Sequence, residues 1–247
     1  TASTAWVTAW DPTGVKLGYS KRFIEDVYDF AVRAATIAQN EQFDIIHAHD
    51  WTSYLAGIAA QAVSGKPLVL HVHATAFDQA GGGNVDRAIF AIEQAGFEAA
   101  QKIITVSEFT RRMIIDKHGA DPAKVEVVHN GIDVAEPPRY APTLRELRAQ
   151  GNRIVLYHGR ITIQKGVDYF VRAAERVIAY DPKVIFVISG KGDMERQVMH
   201  QVAAAGLSNH VRFAGALWYE ERDRMYQSVD LVVMPSVSEP FGLVPLE

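Results

Sequence analysis

Short apolar runs rich in β-branched residues alternate along the chain with longer segments whose apolar positions recur every three or four residues. Phe23, Val27, Ala31, Ala34, Ala35 and Ala38 fall at helical spacing and predict a first helix. The run Phe43-Asp44-Ile45-Ile46-His47-Ala48-His49 follows as a strand. A helix over 53–64, ended by Gly65 and Pro67, leads to a second strand over 68–73. The alternation continues with helices over 86–100 and 108–118 and strands over 103–106 and 125–128. Between Asp133 and Gly151 the rhythm breaks. Pro137, Pro138, Pro142 and the charged stretch from Arg139 to Arg148 read as an interdomain connection with room for a short helix. Strands over 154–157, 184–188, 211–213 and 231–234 and helices over 167–179, 194–205 and 221–227 then complete the series. Apolar strands alternating with helices predict βαβ units and parallel sheets covered on both faces. The fold class is therefore α/β, in two successive doubly wound domains: residues 1–135, a connection over 136–150, and residues 151–247. No repeat in sequence relates the two halves.

Composition narrows function by exclusion. The chain has 247 residues, 48% of them hydrophobic, and can bury a sizeable core. Its 25 Lys+Arg against 29 Asp+Glu leave a formal charge of −4, which gives no electrostatic basis for binding nucleic acid or an anionic membrane. The absence of cysteine excludes disulfides, zinc–thiolate sites and thiol catalysis. No apolar run reaches the ~18–20 residues that span a bilayer, and no signal-peptide pattern opens the chain. The expectation is a cytoplasmic protein. The chain opens at TASTAWVTAW without Met and stops at a Glu in an apolar stretch, so it reads as an excerpt.

Doubly wound sheets bind ligands at the carboxyl ends of their strands. Two such ends carry His47-Ala48-His49-Asp50-Trp51 and His71-Val72-His73, each with histidines two apart and hence on one face. Three readings are open: a substrate-facing histidine, histidines satisfied by backbone groups, or a metal site. The dinuclear zinc signature HxHxDH is incomplete, which counts against metal. In the second half, Gly159-Arg160-Ile161-Thr162-Ile163-Gln164-Lys165-Gly166 joins a strand to a helix. Its glycines, its two cations and the helix N-terminus have the composition of a phosphate site, or of a basic helix start; the P-loop pattern is absent. Ser189-Gly190-Lys191-Gly192-Asp193 is a second glycine-rich turn. The final segment places Glu239 in a loop, Phe241-Gly242-Leu243 at a helix start and Glu247 about one turn further on.

Together these residues resemble a family. Glu239 and Glu247 match the Glu-x7-Glu motif of retaining GT-B glycosyltransferases, and Arg160 and Lys165 match that group's Arg-x4-Lys pair. HAHDW, VSEFT and HNGID stand where the glycogen and starch synthase type (glycosyl transferases group 1) carries similar segments. The resemblance covers the chain from about Phe43 onward. It implies a GT-B fold, two Rossmann-like domains facing a cleft, both incomplete here. It also implies transfer of a hexosyl group, glucosyl by the likeness, from a nucleotide-diphosphate sugar to an α-glucan or other sugar acceptor. Arg160 and Lys165 would neutralise the departing diphosphate, with the Gly242 and Leu243 amides assisting, and Phe241 in the same segment. Glu239 would face the sugar and Glu247 the ribose. His73 would sit near the reacting centre and Asp50 on the acceptor side. Gly190 and Gly192 would shape the base pocket beside Gly159, and Asn130 and Asp133 would lie at the hinge. No metal and no other cofactor are implied, because fixed cations replace the metal. The remaining readings are a GT-B sugar-nucleotide epimerase and a nucleotide- or glycan-binding module without turnover. The family's N-terminal glycine-rich loop is not reproduced by Gly14 and Gly18, so the excerpt alone is expected to be inactive.

Overall fold

The computed structural model describes residues 21–81, 83–133 and 144–247. Gly14, Gly18 and the prolines Pro137, Pro138 and Pro142 of the expected connection lie outside the described residues. The chain divides into two compact units, the first ending at Asn130 and the second beginning at Gly131.

In the first unit, helices and strands alternate: α1 (Lys21–Asn40), β1 (Ile46–His49), α2 (Trp51–Ser64), β2 (Leu68–Val72), the single-turn α3 (Ala76–Gln79), α4 (Arg87–Ala99), β3 (Lys102–Thr105), α5 (Glu108–His118) and β4 (Val125–Val127). The four strands are parallel and ordered β1-β2-β3-β4. Alternation along each strand sends Ala48, Leu68, Leu70, Val72, Ile103 and Val125 into one core with Trp51 and Tyr54 of α2 and Ile89, Ile92 and Phe97 of α4. The opposite face carries His47, His49, His71, Ile104 and Glu126, all exposed or half-buried. Side chains fix the helix starts: Asp86 accepts from the amides of Ala88 and Ile89, and Ser107 from that of Thr110.

β1 is shorter than the sequence predicts. It starts at Ile46, and Ile45 is more than half exposed, because pairing with β2 begins only at Ile46 opposite Leu68. α3 has no counterpart in the sequence reading, since one turn is too short to show a period. Thr75 and Asp78 make it, each accepting from the other's backbone amide in a capping box.

The second unit contains α6 (Arg145–Ala149), β5 (Arg153–His158), α7 (Val167–Tyr180), β6 (Val184–Ser189), α8 (Glu195–Ala204), β7 (Val211–Gly215), α9 (Glu220–Ser228) and β8 (Leu231–Val232). α6 is the short helix for which the connection had room, and Leu144 just before it packs on Ile154, Leu156 and Val187. β6 is buried at every position, as a central strand covered on both faces must be. α7 buries Val167, Phe170, Val171 and Ala174, one stripe of a strongly amphipathic helix, against that sheet. The strands are parallel in the order β7-β6-β5-β8. The chain thus runs outward from β5 through β6 and β7, then returns to pair β8 on the other side of β5. That reversal creates a switch point, and the loops leaving β5 and β8 flank it.

Candidate functional site

The loop after β5 runs from Gly159 through Arg160 into a 3-10 turn over Ile163–Lys165, and α7 begins at Val167. The segment after β8 approaches it closely. Gly166 has φ +64°, and a Cβ there would overlap the carbonyl oxygen of Pro235, so only glycine lets the two segments pass. Gln164, almost fully buried, ties them together. Its backbone oxygen accepts from the Val237 amide at 2.9 Å, and its side-chain nitrogen donates to Ser238 O at 3.3 Å. Across this junction Lys165 Nζ meets both carboxylate oxygens of Glu239, at 2.8 and 2.7 Å, and Ser236 Oγ donates to the same carboxylate at 2.9 Å. Arg160 donates to Gln164 Oε1 at 3.2 Å, while Tyr157 Oη holds the Arg160 carbonyl at 2.6 Å. Two cations and one carboxylate therefore share a few residues at the switch point. Gln164 and Ser236 are the parts that the sequence reading missed, and the close approach of Pro235 is what it could not show of Gly166. Gln164 stands in the Arg-x4-Lys loop but carries no pattern of its own.

The glycine-rich turn after β6 lies against the same loop. Gly190 has φ +140°, and a Cβ on Gly190 or Gly192 would overlap the carbonyl oxygens of Gly159 and Ile161 respectively. Ile161 N donates to Lys191 O at 2.9 Å, and Met194 N to Ile161 O at 3.1 Å. Gly190 and Gly192 thus let the two turns pack backbone against backbone, which fixes the Gly159–Arg160 turn.

Glu247 is tied to α9. Arg222 meets its Oε1 at 2.6 Å and Tyr226 Oη donates to its Oε2 at 2.9 Å. The Leu246 and Glu247 amides donate to Leu243 O, a single helical turn where the sequence predicts a helix start at Phe241-Gly242-Leu243. Tyr226, Val232, Met234, Val244, Pro245 and Glu247 line an open recess of about 300 Å³. Behind it, His158 packs edge-on to Tyr226 at 5.6 Å and contacts Ser189 Oγ at 3.1 Å. Burial pushes the His158 imidazole below its ordinary pKa and the Tyr226 hydroxyl well above its own. Arg222, Tyr226 and His158 were not singled out from sequence.

In the first unit the structure brings Asp50, His49 and His73 together. Asp50 has φ 56° and ψ 166°, a backbone region that is essentially glycine-only. Its Oδ1 accepts from the His73 amide at 2.8 Å and the Ala74 amide at 3.3 Å, and its own amide donates to His71 O. Burial pushes the Asp50 carboxyl above the usual carboxylate range. His49 Nδ1 and His73 Nε2 are 3.0 Å apart. Asn130 ends the first unit and Asp133 lies just inside the second, both outside helix and strand.

The family model for Glycosyltransferase Family 4 matches residues 10–136, and that for Glycosyl transferases group 1 matches residues 144–247. The chain belongs to the family 4 glycosyltransferases. Its second unit is a group 1 glycosyltransferase domain. Similar curated proteins include an uncharacterised glycosyltransferase of Methanocaldococcus jannaschii, 31% identical over 84% of this chain and 55% of its own length. A glycogen synthase of Mycobacterium tuberculosis is 31% identical over 83% of this chain and 49% of its own. The chain spans about half the length of the curated relatives it matches. Among solved structures, the sucrose-phosphate synthase of Thermosynechococcus elongatus superposes with a TM-score of 0.75 at 21% identity, over 93% of this chain and 59% of that one. Anabaena HepE, solved in complex with UDP and glucose, gives 0.74 at 21% identity over 87% and 58%. These likenesses show that the chain has the GT-B fold. No helix among its described residues is long and apolar enough to cross a membrane.

Proposed function

We propose that the chain is the core of a retaining GT-B glycosyltransferase that moves a hexosyl group, glucosyl by its relatives, from a nucleotide-diphosphate sugar to an α-glucan or other sugar acceptor. The observation that carries this reading is the Lys165–Glu239 pair beside Arg160, built from the two loops that flank the switch point of the second sheet. Two cations set in a partly dehydrated loop next to a helix start are suited to the charge that develops on a departing diphosphate. Lys165 is about one-fifth exposed and pairs with Glu239. On this reading the donor diphosphate displaces the Glu239 carboxylate from Lys165 and turns it toward the sugar. Both carboxylate oxygens of Glu247 keep a second lone pair beyond Arg222 and Tyr226, and these accept from the ribose hydroxyls. The neighbouring recess, with Tyr226 and Met234 in its wall, takes the adjoining part of the nucleoside. In the first unit, His73 and Asp50 serve the sugar and the acceptor. The strained Asp50 backbone, held by two amides, fixes the carboxylate where a strand end meets solvent.

The test is transfer by the full-length protein, with the nucleoside diphosphate and the glycoside product both quantified and the product's anomeric configuration read by NMR. The reading expects release of diphosphate that accelerates with a sugar acceptor and an α product from an α donor. Inversion at the anomeric carbon, or an epimerised sugar nucleotide without transfer, overturns it.

A further inference from the structure

The exposed face of the first sheet holds a patch of histidines whose clustering the transfer reading does not use. His47 and His49 project from β1 and His71 from β2, where His49 and His71 are register partners, and His73 stands at the rim. The rings form an array, with centroids 4.3 Å apart for His47 and His49, 5.5 Å and parallel to within 2° for His47 and His71, and 4.3 Å for His71 and His73. Ring nitrogens of His47, His49 and His71 all lie within 4.8 Å of one another.

His71 supplies a second, independent observation. Both of its ring nitrogens are shielded from solvent, and neither has a hydrogen-bond partner among the described residues. A neutral imidazole carries one N–H and one lone pair, and each such group left buried and unpaired costs about 1–3 kcal/mol. A coordinated metal ion would occupy the lone pair.

We propose that His47, His49 and His71 form a three-imidazole binding site for a divalent transition metal of the Zn²⁺ class. An all-nitrogen donor set suits Zn²⁺, Co²⁺, Ni²⁺ or Cu²⁺ and not the oxygen-seeking Mg²⁺ or Ca²⁺. Zinc–nitrogen bonds of about 2.0–2.1 Å place tetrahedral ligand atoms roughly 3.4 Å apart, so the spread narrows by side-chain rotation of the exposed His47 and His49. Asp50 is not one of the clustered groups, and its Oδ1 accepts from the amides of His73 and Ala74. Three protein ligands leave a fourth position open to water, the arrangement of an accessible zinc site. His49 also touches His73, so a metal on one ring nitrogen of His49 fixes what its other nitrogen presents to His73. The site stands on the first unit alone and is independent of the transfer reading.

The test uses protein purified without a polyhistidine tag. Zn²⁺ binding is measured by calorimetry, and Co²⁺ binding by the visible d–d absorption of a tetrahedral complex. One equivalent of Zn²⁺ per chain and a tetrahedral Co²⁺ spectrum are expected, both lost in His47→Ala and in His71→Ala and both retained in His200→Ala. His47 is exposed, so that variant folds even if His71→Ala does not, as circular dichroism will report. No saturable binding by the wild-type chain, or binding that His47→Ala leaves at full affinity, overturns the proposal.

Discussion

At the scale of single residues, charge and backbone geometry at the switch point make separate demands. If Lys165 stabilises the leaving diphosphate, Lys165→Ala in the full-length enzyme should lower kcat by about 10²–10³, the effect of removing one preorganised stabiliser. The fold should survive, since the loop joins a strand to a helix outside the core, and near-normal kcat in a folded Lys165→Ala protein would contradict the role. Gly166 makes a structural demand instead. Its φ of +64° and the nearness of Pro235 O mean that Gly166→Ala should destabilise the second unit by about 2 kcal/mol or more. Urea unfolding checks this, and an unchanged midpoint would show that the loops do not pass as closely as described. Asp50 shows what a residue-level reading of sequence leaves out. HAHDW marked the position, but nothing in the letters announces that an aspartate would occupy a glycine-only region of φ and ψ.

At the scale of elements, the alternation of strand and helix was legible because buried positions must repeat with the period of the element that carries them. α7 and β6 are the clearest cases, one an apolar stripe and the other a continuous apolar run. Legibility failed where tertiary pairing decides. β8 pairs with β5 at only two positions, although Val233 and Met234 continue the apolar run that predicted a longer strand. The Glu93–His118 pair, which joins α4 to α5, was also invisible, because nothing in the sequence pattern marks either residue as buried or paired. In the fold they are fully buried at 2.7 Å among Phe77, Phe90 and Phe97, and Glu93 also accepts from the Ala76 amide at the start of α3. Burial pushes the Glu93 carboxyl above the usual range. Removing one partner of a buried pair typically costs about 3–5 kcal/mol, whereas replacing both with apolar groups of similar volume is far milder. His118→Leu should therefore destabilise the first unit strongly, and Glu93→Leu/His118→Leu should recover much of the loss. Additive losses in that double-mutant cycle would show that the two residues act separately.

At the scale of the whole molecule, both sheets, their parallel strands and the site-bearing loops follow from the sequence pattern, and the motifs matched where those loops fall. Less legible were contacts made by distant segments. Lys165 and Glu239 are 74 positions apart and belong to two separate motifs, which only the family resemblance associates before the fold does. The order β7-β6-β5-β8 then supplies the physical reason, since it brings the segments after β5 and β8 to one switch point. If protein cations neutralise the leaving group, chelator should leave transfer by the full-length enzyme essentially unchanged. Activity lost in EDTA and restored by Mg²⁺ or Mn²⁺ would contradict that account, and it is distinguishable from removal of Zn²⁺ from the histidine patch.

The most direct test is to titrate a nucleoside diphosphate into this chain and into its Arg160→Ala and Lys165→Ala variants by calorimetry, with the bare nucleoside as a control. Saturable binding of the diphosphate is expected, much tighter than that of the nucleoside. Each variant, folded by circular dichroism, should bind about ten-fold or more weakly, as loss of roughly 1.4 kcal/mol of charge-assisted contact requires. A wild-type chain that does not distinguish diphosphate from nucleoside, or folded variants that bind the diphosphate as tightly as the wild type, would contradict the assignment of the β5 and β8 loops as the donor phosphate site.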